Sequence, residues 1–249
     1  MTAEQVLDRL RALASAAVVR SLARFAIPTN NALGVSTLPQ RKLAREIGRS
    51  HALAQALWKT GILEARGIAA LIDDATLVTE AQAERWVRDF DSWAVCDGCC
   101  FELFDKTPFA WRKALEWSRR EREFEKRAGF ALMAALARHD RGAADARFKR
   151  FLAAIRRESG DPRNFVRKAV NWALREIGKR NLRLNRVAVR EAREIRALGT
   201  PSARWIAADA LRELTSAAVQ LRLKAKSKGR GQVQTRRKRL SKRRRETDV

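Results

Sequence analysis

A chain of 249 residues, 46% hydrophobic and 33% charged, holds enough apolar material for a substantial core in one large domain or two small ones. Its 53 Lys and Arg against 28 Asp and Glu leave a formal net charge of +25, which points to a polyanionic partner, while two His and no Tyr leave few ordinary proton-transfer groups. The longest uncharged apolar run, Ala128 to Ala137, is far below the roughly 18 residues a membrane span needs, and three cysteines cannot build a disulfide framework. No P-loop, dinucleotide-binding glycine fingerprint or Gly-x-Ser-x-Gly elbow is present, so nucleotide hydrolysis, a Rossmann cofactor and serine-hydrolase chemistry have no support.

The chain opens Met1-Thr-Ala-Glu-Gln-Val-Leu-Asp, with early carboxylates and no basic-then-apolar leader, so a secretory signal is not expected. From there the body reads as helix throughout, rich in Ala, Leu, Arg, Glu and Lys and lacking period-2 runs of β-branched residues. Pro28, Pro39, Pro108, Pro162 and Pro201 fall where helices start or stop. Asp161-Pro162 and Thr200-Pro201 read as an N-cap followed by the first helical residue, and Thr107-Pro108 as another. Gly61, Gly142, Gly160 and Gly199 mark further breaks. Segments of about 10–20 residues between these signals pair as antiparallel helices. Roughly 220 residues at about 40–47 per two-helix unit give about five HEAT-range repeats. The expected fold is therefore all-α, a HEAT-like helical-repeat solenoid over residues 1–220 whose stacking leaves a concave basic groove.

Three helices carry residues that a core would not choose. Asp91 to Phe104 places Trp93 and Asp97 one turn apart on a stripe continuing through Cys100 to Phe104, so a carboxylate sits among aromatic and sulfur side chains. Such an acid is either paired with a base from another helix or held in place for a reaction. The spacing Cys96-x2-Cys99-Cys100 lacks the further ligands of a closed zinc site, and buried free thiols are the better reading. Glu121 to Arg138 puts Phe124, Ala128, Ala131, Leu132 and Ala135 on the core side, with Arg127 at the stripe's edge near Arg138 and beside small Ala131 and Ala134. That arginine can hold a phosphate bidentately or pair with an acid. Asn164 to Lys179 puts Val166, Val170, Ala173, Leu174 and Ile177 on one apolar stripe. Trp172 lies about 140° away, in the sector of Lys168, Arg175 and Lys179. An indole there either packs on a neighbouring helix or meets a sugar or base beside a phosphate backbone.

From Leu221 onward 13 Lys/Arg face 2 Asp/Glu, a net of +11, and the remaining body is still +14. The segment 221–249 lacks an apolar face for a membrane surface and reads as a disordered, phosphate-seeking tail.

At these residues the chain resembles the AlkD family of DNA glycosylases. The strongest likeness is Phe165-Val-Arg-Lys-Ala-Val-Asn-Trp-Ala-Leu-Arg-Glu, followed by Ser92-Trp93-x3-Asp97, Arg127-Ala128, and Leu57-Trp58-Lys59 with Glu64-Ala65-Arg66. It extends from about Leu38 to Leu214. The resemblance implies a HEAT-like repeat enzyme that excises alkylated purines, with Asp97 as catalytic carboxylate, Trp93 and Trp172 as aromatic walls and Arg127 as phosphate contact. It also implies that the lesion stays in the duplex and is reached through an open cleft. The cysteine cluster Cys96-x2-Cys99-Cys100 and the long basic tail are departures, not features expected of every member.

That chemistry suits a chain poor in His. Alkylation at N3 or N7 makes the purine a cationic leaving group that needs no general acid, and a carboxylate near C1′ stabilises the developing oxocarbenium ion. The expected function is thus a cofactor-free, metal-free DNA-alkylpurine glycosylase, acting as a monomer on double-stranded DNA in the cytoplasm at the nucleoid. Lys168, Arg175, Lys179 and Arg138 would bind the backbone. The alternatives are a non-catalytic nucleic-acid-binding HEAT protein and a protein-binding scaffold.

Overall fold

A computed structural model describes residues 1–227. The N-terminal part comprises α1 (Ala3–Ala12), α2 (Ala16–Arg24) and α3 (Thr37–Ile47). Five helix pairs follow: α4 (His51–Lys59) with α5 (Leu63–Ile72), α6 (Glu80–Arg88) with α7 (Trp93–Glu102), α8 (Ala110–Trp117) with α9 (Glu123–His139), α10 (Phe148–Glu158) with α11 (Asn164–Gly178), and α12 (Leu182–Ala197) with α13 (Pro201–Leu214). Residues 217–227 are again helical, and no strand occurs among the described residues. None of the described helices is long and apolar enough to cross a membrane.

The pairs stack into a repeat array. The odd-numbered helices form one layer in which α3 packs on α5, α5 on α7, α7 on α9, α9 on α11 and α11 on α13. The even-numbered helices back them, α4 against α5, α8 against α9 and α12 against α13. Five pairs match the expected number, but the repeat is shorter than the expected 40–47 residues: successive pairs begin at His51, Glu80, Ala110, Phe148 and Leu182. Helices of 8 to 17 residues and tight connections account for the difference.

α9 is the hub. It is buried from Ala128 to Ala137 on all sides, as expected of a helix enclosed by neighbours rather than laid on a surface. Gly129 allows α8 to cross it, because a Cβ there would overlap the backbone of Ser118. Cys96 and Cys100 of α7 are buried against it, their thiols donating to the carbonyls of Phe124 at 3.6 Å and Ala128 at 3.5 Å.

Several local signals land as expected and others shift. Thr200 caps α13, its hydroxyl accepting from the Ala203 N–H at 3.1 Å with Pro201 as first helical residue. Asp161-Pro162 does not open α11. The Asp161 carboxylate instead accepts from the Arg163 backbone and side chain, each at 3.0 Å, and the helix begins two residues later. Thr107 likewise closes a short 3-10 turn by donating to the Phe104 carbonyl at 2.7 Å, and α8 starts at Ala110. Within Leu57-Trp58-Lys59 and Glu64-Ala65-Arg66, Trp58 and Glu64 serve the packing of the fold. Trp58 stacks on Trp86 with ring centres 3.9 Å apart, and buried Glu64 accepts from the N–H groups of Leu33, Gly34 and Val35 at 2.9, 2.7 and 3.1 Å.

The boundary expected at residue 221 is corrected. Val219 and Leu223, four residues apart, are both buried, so the helix 217–227 belongs to the packed fold. Gln220 fastens it by donating to Asn185 Oδ1 at 3.0 Å and the Leu214 carbonyl at 2.7 Å. The rest of the basic segment, 228–249, lies outside the described residues.

Candidate active site

Three consecutive odd-layer helices bring the singled-out residues together. α7 presents Trp93, Asp97 and Phe101 at four-residue spacing, α9 presents Arg127, and α11 presents Trp172. The Asp97–Arg127 pair is bidentate: Nε donates to Oδ1 at 2.9 Å and Nη2 to Oδ2 at 2.7 Å. Nη1 donates to the Phe165 carbonyl of α11 at 2.6 Å, tying three helices through one guanidinium. The Arg127 side chain is only 7% exposed, whereas Asp97 keeps 19% of its surface open. Arg127 therefore directs its donors inside the protein. Its geometry is that of a clamp on the carboxylate, and Arg127 is itself among the residues lining the adjoining cavity.

Burial pushes the Asp97 carboxyl above its ordinary value, and Arg127 opposes that rise by Coulomb attraction and hydrogen bonding. Burial likewise works against the charge on Arg127, but Asp97 outweighs it and holds the guanidinium protonated. Two parallel charge-assisted N–H donors on one carboxylate are the geometry of an ionised acid.

The open side of Asp97 faces a cavity of about 550 Å³ lined by Trp93, Trp172, Phe25, Phe165, Lys168 and Arg24, among others. Trp93 and Trp172 are half-buried, so neither indole is sealed beneath a helix. Trp93 Nε1 donates to the Phe25 carbonyl at 2.9 Å, which fixes the ring against the end of α2. Trp172 stacks on Phe101 with centroids 4.7 Å apart and planes 3° from parallel. Trp172 thus packs on a neighbouring helix and also lines the cavity.

Sequence reasoning misses Phe101, although its spacing from Asp97 equals that of Trp93. The stripe through Cys100 and Phe104 leads into the core. Both residues are fully buried, and α7 ends at Glu102, so Phe104 no longer follows helical periodicity. Phe25 and Arg24 join the cavity from α2, about seventy positions away in sequence, and nothing local to them signals it.

The four expected DNA-binding cations divide. Lys168 is exposed on the cavity wall and Arg138 is exposed at the end of α9, neither with a carboxylate in ion-pair reach among the described residues. Arg175 also lines the cavity, but it pairs with Glu213 at 2.7 Å and Asp209 at 3.4 Å. Lys179 pairs with Glu176 at 2.8 Å and Glu213 at 2.9 Å. Those two charges hold α11 to α13.

This arrangement can set one clamped carboxylate beside two electron-rich rings in a space open to solvent, with cations at its edge. Among curated proteins no match was found. A solved structure, described as a new family of proteins related to the HEAT-like repeat DNA glycosylases with affinity for branched DNA structures, is similar to the chain in fold. It superposes with a TM-score of 0.71 at 20% identity, covering 78% of this chain and 83% of the other. A family model described as DNA alkylation repair enzyme matches residues 6–216. With the match spanning well over half of its length, the chain belongs to the DNA alkylation repair enzyme family.

Proposed function

We propose that the protein is a DNA glycosylase that hydrolyses the N-glycosidic bond of cationic N3- or N7-alkylated purines in duplex DNA. The observation that carries this reading is the Asp97 carboxylate, immobilised by Arg127 and open only toward a cavity walled by Trp93 and Trp172. The alkylated base leaves with the electron pair of the C1′–N bond, which neutralises its charge. The sugar left behind is an oxocarbenium ion, and water adds to C1′ and loses a proton to Asp97 or solvent. A fixed carboxylate aimed at C1′ stabilises that cation without reorganising, the form in which electrostatics contributes most. The indole faces favour the same cation by roughly 0.5–2 kcal/mol each. Arg127 is a positioning residue, holding Asp97 in place and ionised. Lys168 and Arg138 serve the phosphates, which fix register without reading sequence. No step calls for a metal or cofactor, and the protein works as a monomer in the cytoplasm at the nucleoid.

A second reading, a binder of branched DNA without base excision, is favoured by the tight closure of Asp97 on Arg127 and by the description of the structural neighbour. Incubation with methylated duplex followed by alkali separates the two. Strand breaks at the modified purines are expected for the glycosylase. Tight binding to a four-way junction with no strand breaks would favour the second reading.

A further inference from the structure

Beyond the Asp97 cleft, the C-terminal ends of α9 and α11 and the helix 217–227 converge on a second cavity of about 510 Å³. Its walls carry Arg138, Arg141, Lys179, Arg180, Arg222 and Lys226, with Glu176 the one acid among the lining residues. The two cavities are joined by a third depression. Trp172 lines both the cleft and this depression, and Arg138 lines both the depression and the basic cavity. A trough therefore runs from the candidate catalytic carboxylate past Trp172 and Arg138 to a concentration of cations.

Helix ends provide an ordinary reason for some of these charges, since cations complement the negative end of a helix dipole. Arg180 fits it, with Nη1 donating to the Ala137 carbonyl at 2.6 Å, and Lys179 is held by Glu176 and Glu213. Arg138, in the last turn of α9, fits it too, whereas Arg141, two residues beyond that helix, and Arg222, within the helix 217–227, do not. All three are exposed, and among the described residues none has a carboxylate or carbonyl partner for its guanidinium. Glu176 pairs with Lys179 at 2.8 Å and is not in ion-pair contact with any of the three. Other exposed arginines, among them Arg20, Arg85, Arg150 and Arg190, also stand outside ion pairs among the described residues, so what distinguishes Arg138, Arg141 and Arg222 is that they line one concavity together. Three unpaired guanidiniums around one concavity repel one another, and their summed field is focused into it.

We infer that this basic cavity is a second anchorage for DNA, taking backbone phosphates of the strand that leaves the Asp97 cleft over Trp172, with Arg141 and Arg222 as the cations that no catalytic step requires. The inference rests on the reading that the Asp97 cleft receives DNA. Continuity of the trough with that cleft selects a polynucleotide backbone over a free anion. Arg222 lies on the helix 217–227, so this terminal helix is part of the nucleic-acid surface and not only a buttress of the fold.

The test uses the full chain and an undamaged 24-base-pair duplex, with affinity measured across a salt series. Each phosphate that the protein no longer neutralises lowers the slope of log K against log salt by about 0.9. The Arg141→Gln/Arg222→Gln variant is expected to lose nearly two units of slope and to bind about tenfold more weakly at physiological salt. The Arg141→Lys/Arg222→Lys variant keeps both charges and is expected to retain the slope. Because both positions are exposed, an unaltered thermal transition accompanies either change. An unchanged slope in the Gln variant would overturn the inference, as would weakened binding of inorganic pyrophosphate with no change toward the duplex. No base release is read, so a failure of the glycosylase reading leaves this result standing on its own.

Discussion

The Asp97 carboxyl has one strong partner, and everything asked of it depends on that partner. Burial raises its pKa, and Arg127 opposes the rise through two hydrogen bonds and a direct charge. Replacing Arg127 with Gln removes the lowering influence and leaves burial, so the carboxyl moves further up and a larger fraction is protonated at neutral pH. The ionised form is the one that stabilises a sugar cation. Base release by Arg127→Gln should therefore fall at neutral pH and recover as pH rises, with its pH–rate profile displaced upward from that of the wild type. A profile that keeps its midpoint would contradict the clamp role. Breaking a buried pair also costs stability, about 3–5 kcal/mol, to be read in the urea midpoint. The pair itself is only half legible in the sequence. Asp97 and Arg127 both stand out as charges misplaced on apolar helices, but which charge meets which depends on how α7 packs on α9, and no local periodicity encodes that packing.

At the scale of elements, α11 is the most legible. Its apolar stripe predicts helix from Asn164 to Lys179, and the helix runs Asn164–Gly178 with Lys179 as its cap. All five stripe residues are fully buried. α9 is less legible because a helix enclosed on every side has little amphipathic contrast, so its central position has to come from tertiary packing. That position requires a glycine where α8 crosses. Gly129→Ala drives a methyl into the Ser118 backbone and should lower stability by roughly 1–3 kcal/mol. Gly98→Ala in α7, where a Cβ meets nothing, should be neutral or stabilising by up to about 1 kcal/mol. Urea midpoints at constant m-value check both, and equal effects at the two glycines would contradict the packing described. The C-terminal helix reads as tail in the sequence because Lys and Arg dominate its composition, whereas two apolar residues four apart, Val219 and Leu223, are enough to seat it.

For the whole molecule, net charge and repeat architecture are readable from sequence, and the number of helix pairs with them; the repeat length is not, since it depends on turns that composition does not resolve. The +25 charge is distributed between the folded array and the last 22 residues, 228–249, which hold ten Lys and Arg against two acids. Removing 228–249 should preserve the thermal transition and reduce the salt slope of duplex binding by several units, at most about 9. Cutting at 220 should in addition lower the transition, because it also removes buried Leu223. A slope unaffected by the first truncation would show that those charges do not meet phosphates.

The most direct measurement is the single-turnover release of 7-methylguanine from duplex DNA at saturating protein, comparing wild type with Asp97→Asn. Asparagine keeps the size of the side chain and deletes its charge, so the account predicts base release by the wild type, none above background by the variant, and equal affinity for the duplex. Release at the wild-type rate by Asp97→Asn would contradict it.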